Sequence, residues 1–254
     1  MTEPAAPTAT LDRVRALEER AFNAWPALQT VVADGWLMRF ADGYTKRANS
    51  LNAWQPGCPV GTAVDVAREA YAQVNVPFVV RLSPLAEPGA DDVLAARGFR
   101  KLDETMVMAL PLEADRFAID PAAIIAGQPD AAWAHGFAEA NRVPERHRPT
   151  HDAMLAAIRW PAAFASLVDG ERTLAYGLAV AERGKVGLFD IVAAPTARRQ
   201  GAGRRLVQSL LAWGVETGCS EAYLQVVATN VPAIALYQAL GFAEVYRYHY
   251  RVAP

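Results

Sequence analysis

The sequence predicts an α/β protein (α+β, with a mixed sheet) made of two modules of similar plan. In the C-terminal half, segments of helical spacing alternate with strand-like segments, in the order helix, helix, three antiparallel strands, helix, strand, helix, strand. A short helix that ends in Gly-Phe and leads into a strand occurs twice, at Gly98 and at Gly241. A Pro-bracketed polar segment, 111–121, lies between them, so we expect domains at residues 1–114 and 115–254.

Composition limits the class of protein. The chain is 52% hydrophobic and 20% charged, which is typical of a soluble protein with a core, and its net charge of −2 disfavours a nucleic-acid binder. Cys58 and Cys219 are too few for a disulfide framework, so we expect a cytoplasmic protein. As for its own assembly, we expect a monomer or homodimer. Met1–Thr10 shows no signal peptide, and no apolar run is long enough to span a membrane.

The sequence of the N-terminal half predicts strands and helices, with one basic turn between two of the strands. We expect this half to support folding or to shape the substrate site. Its stretch Phe40–Ser50 (FADGYTKRANS) is polar and basic, and we interpret it as a solvated hairpin. The predicted elements are strands Trp36–Phe40 and Arg47–Trp54 around Asp42-Gly43, helix Val60–Gln73, strand Val76–Leu82, a helix from Asp92 and a strand to Leu110.

The C-terminal half has stronger signals. Asp169-Gly170 predicts a tight hairpin, and Gly218 and Gly241 predict helix ends. The predicted helices are Asp130–Asn141, His151–Trp160 (ended by Pro161), Arg204–Thr217 and Pro232–Leu240; the predicted strands are Ala163–Val168, Thr173–Ala181, Val186–Val192, Ala222–Val227 and Phe242–Val252.

A glycine-rich loop precedes the third of these helices. Gly201 and Gly203 let the backbone turn tightly and approach a ligand, and the helix that follows presents unpaired N–H groups at its positive end. This arrangement suits a pyrophosphate, although a solvated helix start with a basic rim would have a similar sequence. The cations around the loop are Arg198, Arg199, Arg204 and Arg205.

Two motifs together suggest a family. Arg198-x-x-Gly201-x-Gly203, after a strand ending in Ile191-Val192-Ala193-Ala194-Pro195, resembles the acyl-CoA loop of the GNAT superfamily of N-acetyltransferases. Asn230-x6-Tyr237-x3-Gly241-Phe242 resembles the second half of that family's site. The chain therefore resembles a tandem GNAT protein whose N-terminal copy is degenerate.

The resemblance implies acetyl-CoA as co-substrate, no metal, and an amine acceptor that the sequence does not identify. In the family, strand backbone groups pair with the pantetheine arm, loop amides hold the pyrophosphate, an asparagine contacts the cofactor and a tyrosine acts as general acid. The matching pantetheine-binding residues are Ile191, Val192 and Ala193, and the loop residues are Arg198, Arg199, Gln200, Gly201, Ala202, Gly203 and Arg204; the asparagine is Asn230 and the acid is Tyr237.

The general base is where the sequence departs from the family. Relatives that resemble ribosomal-protein alanine acetyltransferases carry a glutamate where this chain has Gln225, which cannot accept a proton at neutral pH. Asp190 is our first candidate for the base, directly or through a water, and Glu139 and Glu145 are weaker ones. Because this glutamate is missing, one alternative to an N-acetyltransferase is a non-catalytic regulator that binds acyl-CoA. A second alternative is an N-acyltransferase of the same fold that uses a longer acyl chain.

Three other segments have residue patterns that could indicate ligand binding. The N-terminal loop Gln55–Gly61 has Pro56 and Pro59, which lack the N–H groups of a phosphate cradle, so we expect cofactor only in the C-terminal half. His147 and His151 could be metal ligands, but Pro149 lies between them and disfavours helical spacing. The segment 246–251 (YRYHYR) mixes aromatic and cationic side chains, which alternation on a terminal strand explains without nucleic acid.

Overall fold

The computed structural model describes residues 9–254, so the expectation for Met1–Thr10 lies almost wholly outside the described residues. The helices are α1 (Leu11–Ala24), α2 (Val60–Gln73), α3 (Ala90–Ala96), α4 (Ala131–Ala140), α5 (Arg148–Ala156), α6 (Ala202–Glu216) and α7 (Val231–Leu240). The strands are β1 (Gln29–Ala33), β2 (Trp36–Phe40), β3 (Leu51–Ala53), β4 (Val79–Leu82), β5 (Arg100–Pro111), β6 (Ala123–Ala126), β7 (Ala162–Asp169), β8 (Arg172–Glu182), β9 (Lys185–Ala193), β10 (Glu221–Val227) and β11 (Ala243–Val252). None of these helices is both long and apolar enough to cross a membrane.

The described residues form two compact units. The first comprises the described chain up to Met108 with Val226–Ala235 and Glu244–Pro254, and the second comprises Ala109–Gln225 with Leu236–Ala243. The strand order is β1-β2-β3-β4-β11-β5 in the first unit and β10-β9-β8-β7-β6 in the second. Parallel and antiparallel pairs occur in both, which confirms the predicted mixed sheet. The boundary after residue 114 stays a prediction, and it does not anticipate that β11 pairs with β4.

In the second unit, α6 packs closely on the sheet beside the end of β9. Two glycines allow this approach: an added Cβ at Gly214 of α6 would lie 2.7 Å from Val186 Cγ1 of β9, and one at Gly177 of β8 would lie 3.0 Å from Leu210 Cδ1. Because only glycine leaves room at these positions, they let α6 pack directly against β8 and β9. The buried side of the helix includes Leu206, Val207, Leu210 and Leu211.

In the first unit, α2 begins and ends where its periodicity predicts. Its buried residues recur at helical spacing and form one apolar face, so burial of that face stabilises the helix. They are Val60, Ala63, Val64, Ala67 and Tyr71.

The predicted strand Arg47–Trp54 is wrong in its first half. Lys46–Ala48 is a short 3₁₀ helix, and only Leu51–Ala53 is strand. The buried Asn49 holds this connection: its Oδ1 accepts from the N–H groups of Ala41 and Gly43 at 2.7 and 2.9 Å. A side chain that satisfies backbone donors locally competes with strand pairing, which explains the shorter strand.

The predicted helix His151–Trp160 is displaced toward the N-terminus, because α5 spans Arg148–Ala156. Pro149 lies in its first turn, where a missing N–H and a fixed φ are compatible with a helix. The prediction that Pro149 interrupts helical geometry before His151 was therefore wrong. The elements α1, β1 and β6 were not predicted.

Candidate functional site

The second unit contains a strand that separates from its neighbour. β9 pairs in parallel with β10 from Lys185↔Glu221 as far as Leu188↔Leu224, while β9 itself continues to Ala193. Past Leu188 the β10-facing edge of β9 therefore has no register partner on β10. Residues 191–193 lie on this part and are half-buried. Backbone groups on such an edge can pair with an extended ligand, as an added strand would.

A β-bulge lies in the same part of β9. In the pairing with β8, Tyr176 opposes Val192 and Leu178 opposes Phe189, so Asp190 and Ile191 together oppose Gly177. Asp190 has a φ of 50°, in the left-handed region that aspartate tolerates better than most residues. Bulges redirect side chains and are frequent beside active sites.

Asp190 makes a hydrogen bond that the sequence did not predict. His151 Nε2 of α5 lies 2.8 Å from Asp190 Oδ2, and the side chains are 1% and 9% exposed. The imidazole ring stacks on Phe137, with 4.9 Å between ring centroids. Because the ring is packed and hydrogen-bonded, it holds the carboxylate in one orientation. The signals in the sequence were a histidine among apolar residues and an aspartate in an apolar strand.

The glycine-rich loop leads directly into α6. Gly201 is the N-cap with a φ of 80°, and no side chain caps the helix. The first-turn N–H groups therefore face outward without a side-chain acceptor, which suits an anion. Arg198, Arg199 and Arg204 are exposed, and the Gln200 side chain donates to Thr196 O at 2.8 Å.

The sequence placed Arg205 among the cations around the loop, but in the structure its charge is paired within the chain. Its Nε and Nη2 donate to the two carboxylate oxygens of Asp120 at 2.7 and 2.9 Å. The hydrogen bonds with Arg205 lower the pKa of Asp120. The cations available to a ligand at the loop are thus Arg198, Arg199 and Arg204.

Tyr237 lies on α7 and is 8% exposed. Its ring meets that of Phe242 edge-on, with 5.8 Å between centroids. Burial raises the pKa of Tyr237 to about 12, because the charged phenolate is poorly solvated there. The hydroxyl therefore keeps its proton at neutral pH, and its pKa lies further above that of a thiol than the sequence suggested.

Asn230 caps the helix that carries Tyr237. Its Oδ1 accepts from Ala233 N at 3.3 Å, and its carbonyl accepts from Ile234 N at 3.0 Å. This is the capping role that the sequence left open beside cofactor contact. Because Asn230 Oδ1 already accepts this hydrogen bond, a contact with a ligand would use the side-chain nitrogen, Nδ2.

The other candidate bases have different surroundings. Gln225 is half-buried on β10. Glu139 lies 2.5 Å from Arg148, in an exposed ion pair, and Glu145 lies in a 3₁₀ helix. Within residues 9–254, no three His, Cys, Asp or Glu side chains are grouped as metal ligands would be.

The start of α2 in the first unit differs from that of α6. Val60 N, the first amide of the helix, donates to Glu87 Oε1 at 2.6 Å. The N-cap is Pro59, which has no N–H group. A carboxylate of the chain itself thus lies where an anionic ligand would bind, so phosphate would be repelled.

Comparison with known proteins gives one family match. Residues 11–251 match the family described as "Probable histone acetyltransferase Rv0428c C-terminal". The chain is 29% identical to "Uncharacterized N-acetyltransferase YobR" of Bacillus subtilis (strain 168), over 95% of this chain and 99% of that protein.

Solved structures agree on the fold. A GCN5-related N-acetyltransferase from Kribbella flavida aligns with a TM-score of 0.71 at 17% identity, covering 98% of this chain and 97% of that one. A tandem GNAT protein from the clavulanic acid biosynthesis pathway aligns with a TM-score of 0.63 at 15% identity, covering 93% and 87%. These similarities support the GNAT fold.

Proposed function

The chain belongs to the family described as probable histone acetyltransferase Rv0428c C-terminal, a GNAT acetyltransferase, and from this we propose that it transfers an acetyl group from acetyl-CoA to an amine. The observation that carries the proposal is the separation of β9 from β10 directly before the uncapped helix α6. A strand edge and a helix N-terminus in succession suit a ligand with an extended amide arm and a pyrophosphate.

The residues of the second unit fit such a donor. The backbone of Ile191, Val192 and Ala193 would pair with the pantetheine arm. The amides from Arg199 to Arg204 would hold the pyrophosphate, with Arg198, Arg199 and Arg204 supplying positive charge. Acetyl-CoA, when bound, supplies a thioester whose acyl carbon an amine can attack.

Asp190 is the proposed general base. The amine must be neutral to attack, and it loses a proton as its nitrogen bonds to the acyl carbon and the carbon–sulfur bond breaks. Asp190 would accept that proton, directly or through a water. His151, donating from Nε2, would hold the carboxylate in place as a positioning residue. This pair supports catalysis although Gln225 stands where relatives have glutamate.

Tyr237 is the proposed donor to the leaving sulfur. With a pKa of about 12 it stays protonated, so it can donate a hydrogen bond to the developing thiolate. A thiol has a reference pKa of about 8.5, well below that of Tyr237, so Tyr237 keeps its proton and the released thiolate takes a proton from solvent at neutral pH. An α-amine, with a reference pKa of about 7.7–8.0, is a better acceptor at neutral pH than a lysine near 10.4.

Release of free thiol from acetyl-CoA over a panel of α-amines, lysine-type amines and peptides tests the proposal. We expect acceptor-dependent thiol release that Asp190→Asn abolishes while CoA affinity is kept. Asp169→Asn, an exposed change on the β7–β8 turn, is the matched control and should be active. CoA binding without thiol release from any acceptor would instead favour a non-catalytic acyl-CoA-binding protein. Thiol release only from acyl-CoAs longer than acetyl-CoA would show that the acyl donor is a longer-chain thioester.

A further inference from the structure

The first unit contains a pocket of about 400 Å³ that the proposed chemistry does not use. Its volume lies in the range of small-molecule sites. The lining combines aromatic rings, hydroxyl groups and two cations: Gly43, Tyr44, Thr45, Lys46, Arg47, Asp103, Thr105, Val227, Tyr248 and Tyr250.

Two sequence segments without an assigned role meet at this pocket. Five of the lining residues come from the basic turn Phe40–Ser50, and two come from the aromatic and cationic segment 246–251 on β11. Taken alone, the first was interpreted as a solvated hairpin and the second as alternation on a terminal strand. In the structure both segments line one cavity, which suggests a shared role in binding a ligand.

Arg47 is the central group of the pocket. Its Nε–H is buried and has no hydrogen-bond partner within residues 9–254. In the same part of the chain no carboxylate oxygen lies within salt-bridge distance of its guanidinium. The other lining cation, Lys46, is already paired, because its Nζ lies 2.7 Å from Asp103 Oδ2. A buried N–H donor without an acceptor is costly unless a ligand supplies one.

The interior around Arg47 has excess positive charge. Arg81 is paired with Glu18 through its two terminal guanidinium nitrogens, and both side chains are fully buried. The Arg39 guanidinium donates to the backbone carbonyls of Phe22, Trp25 and Arg47. Burial, and to a smaller extent the charges of Arg81 and Arg47, lower the pKa of Arg39 to about 9. Of these three guanidinium groups, Arg81 is the one that pairs with a carboxylate among the described residues.

Tyr248 lines the pocket and lies in the positive electrostatic potential of the same arginines. Its ring packs under Arg81, with the guanidinium carbon 3.6 Å from the ring centroid. Burial by itself raises the pKa of Tyr248, but the charges of Arg47 and Arg81, together with hydrogen bonds from Tyr250 and Arg47, lower it overall. Surroundings that favour a negative oxygen on Tyr248 also favour the oxygen of a bound anion.

We propose that this pocket binds a small organic carboxylate with an apolar body. The carboxylate pairs with Arg47 and with the hydroxyl groups of the lining, since a guanidinium edge matches the plane of a carboxylate. The apolar body packs on the rings of Tyr44 and Tyr250 and on Val227. The proposal does not depend on acetyl transfer, and it concerns a ligand other than CoA.

The test is titration of the full chain with benzoate by calorimetry, with neutral benzamide and inorganic phosphate as parallel probes. We expect benzoate to bind at one site, and benzamide and phosphate to bind at least tenfold more weakly, because a hydrogen-bonded charge accounts for about that factor. Saturating CoA should leave one benzoate site. Loss of benzoate binding with CoA present would locate it at the cofactor loop and overturn the proposal.

Variants locate the site. Arg47→Gln should weaken benzoate binding at least tenfold and Arg47→Lys should retain part of it, whereas Arg100→Gln, an exposed arginine of the same unit, should change nothing. Asp103→Asn removes the competing carboxylate from Lys46 and should tighten binding roughly two- to fivefold. This exposed change tests the proposal even where Arg47→Gln does not fold. Unchanged affinity in Asp103→Asn and in the Arg47 variants would refute the site.

Discussion

Replacing Gly203 by alanine separates ligand binding from folding more cleanly than other changes in the loop. An added Cβ would meet only Leu236 Cδ1, at 3.9 Å, which is an ordinary contact. Gly203 is the second residue of α6 and has no positive φ, so alanine fits the backbone. Alanine in a helix is favoured over glycine by about 0.5–1 kcal/mol, and less in the first turn. We therefore expect the ligand-free variant to melt at the same temperature or about 1–2 °C higher.

The bound state should respond in the opposite direction. The new methyl group would stand where the backbone approaches the pyrophosphate, and we expect CoA affinity to fall at least tenfold, or about 1.4 kcal/mol. At a concentration of about 100 times the wild-type Kd, CoA stabilises the wild type by about 2.7 kcal/mol, but a tenfold weaker variant by only about 1.4 kcal/mol. Calorimetry and thermal melts with and without CoA measure both quantities.

Gly201→Ala is the matched comparison. Gly201 also has open space around a built Cβ, but its φ of 80° strains any other residue. Left-handed backbone costs roughly 1–2 kcal/mol for alanine, so this variant should lose stability without ligand. Wild-type CoA affinity in Gly203→Ala, with an undiminished melting shift, would refute the assignment of the phosphate site.

The remaining predictions concern the chemistry and the number of sites. Tyr237→Phe should lower kcat roughly a hundredfold with CoA affinity unchanged. Because burial raises the pKa of Tyr237 to about 12, the ratio of wild-type to variant rates should stay constant from about pH 7 to pH 10, and a wild-type loss with a midpoint near 10 would contradict this. His151→Gln, which can still donate to Asp190, should keep much more activity than His151→Leu and should shift the acid limb of the pH–rate profile less; equal losses would indicate a purely structural role. Calorimetry should find one CoA per chain, since Glu87 occupies the first amide of α2, and two sites would refute that.

The sequence by itself determined the local features of this protein. The bounds of α2 and the turn at Asp169-Gly170 follow from periodicity and from backbone preferences over a few residues. The glycine-rich loop before α6 was equally apparent in the sequence, because the end of β9, Gly201, Gly203 and the start of α6 follow one another closely along the chain. The family resemblance rested on such contiguous motifs.

Only the tertiary structure decided which distant side chains meet. His151 and Asp190 are 39 residues apart, and their hydrogen bond depends on the packing of α5 and on a bulge that gives Asp190 its positive φ. The basic turn around Arg47 and the tyrosines of β11 come from opposite ends of the chain, and pairing of β11 within the first unit brings them to one pocket. Periodicity reports which face of an element is buried, but the partner of that face depends on the free energy of packing the whole chain, which no local pattern contains.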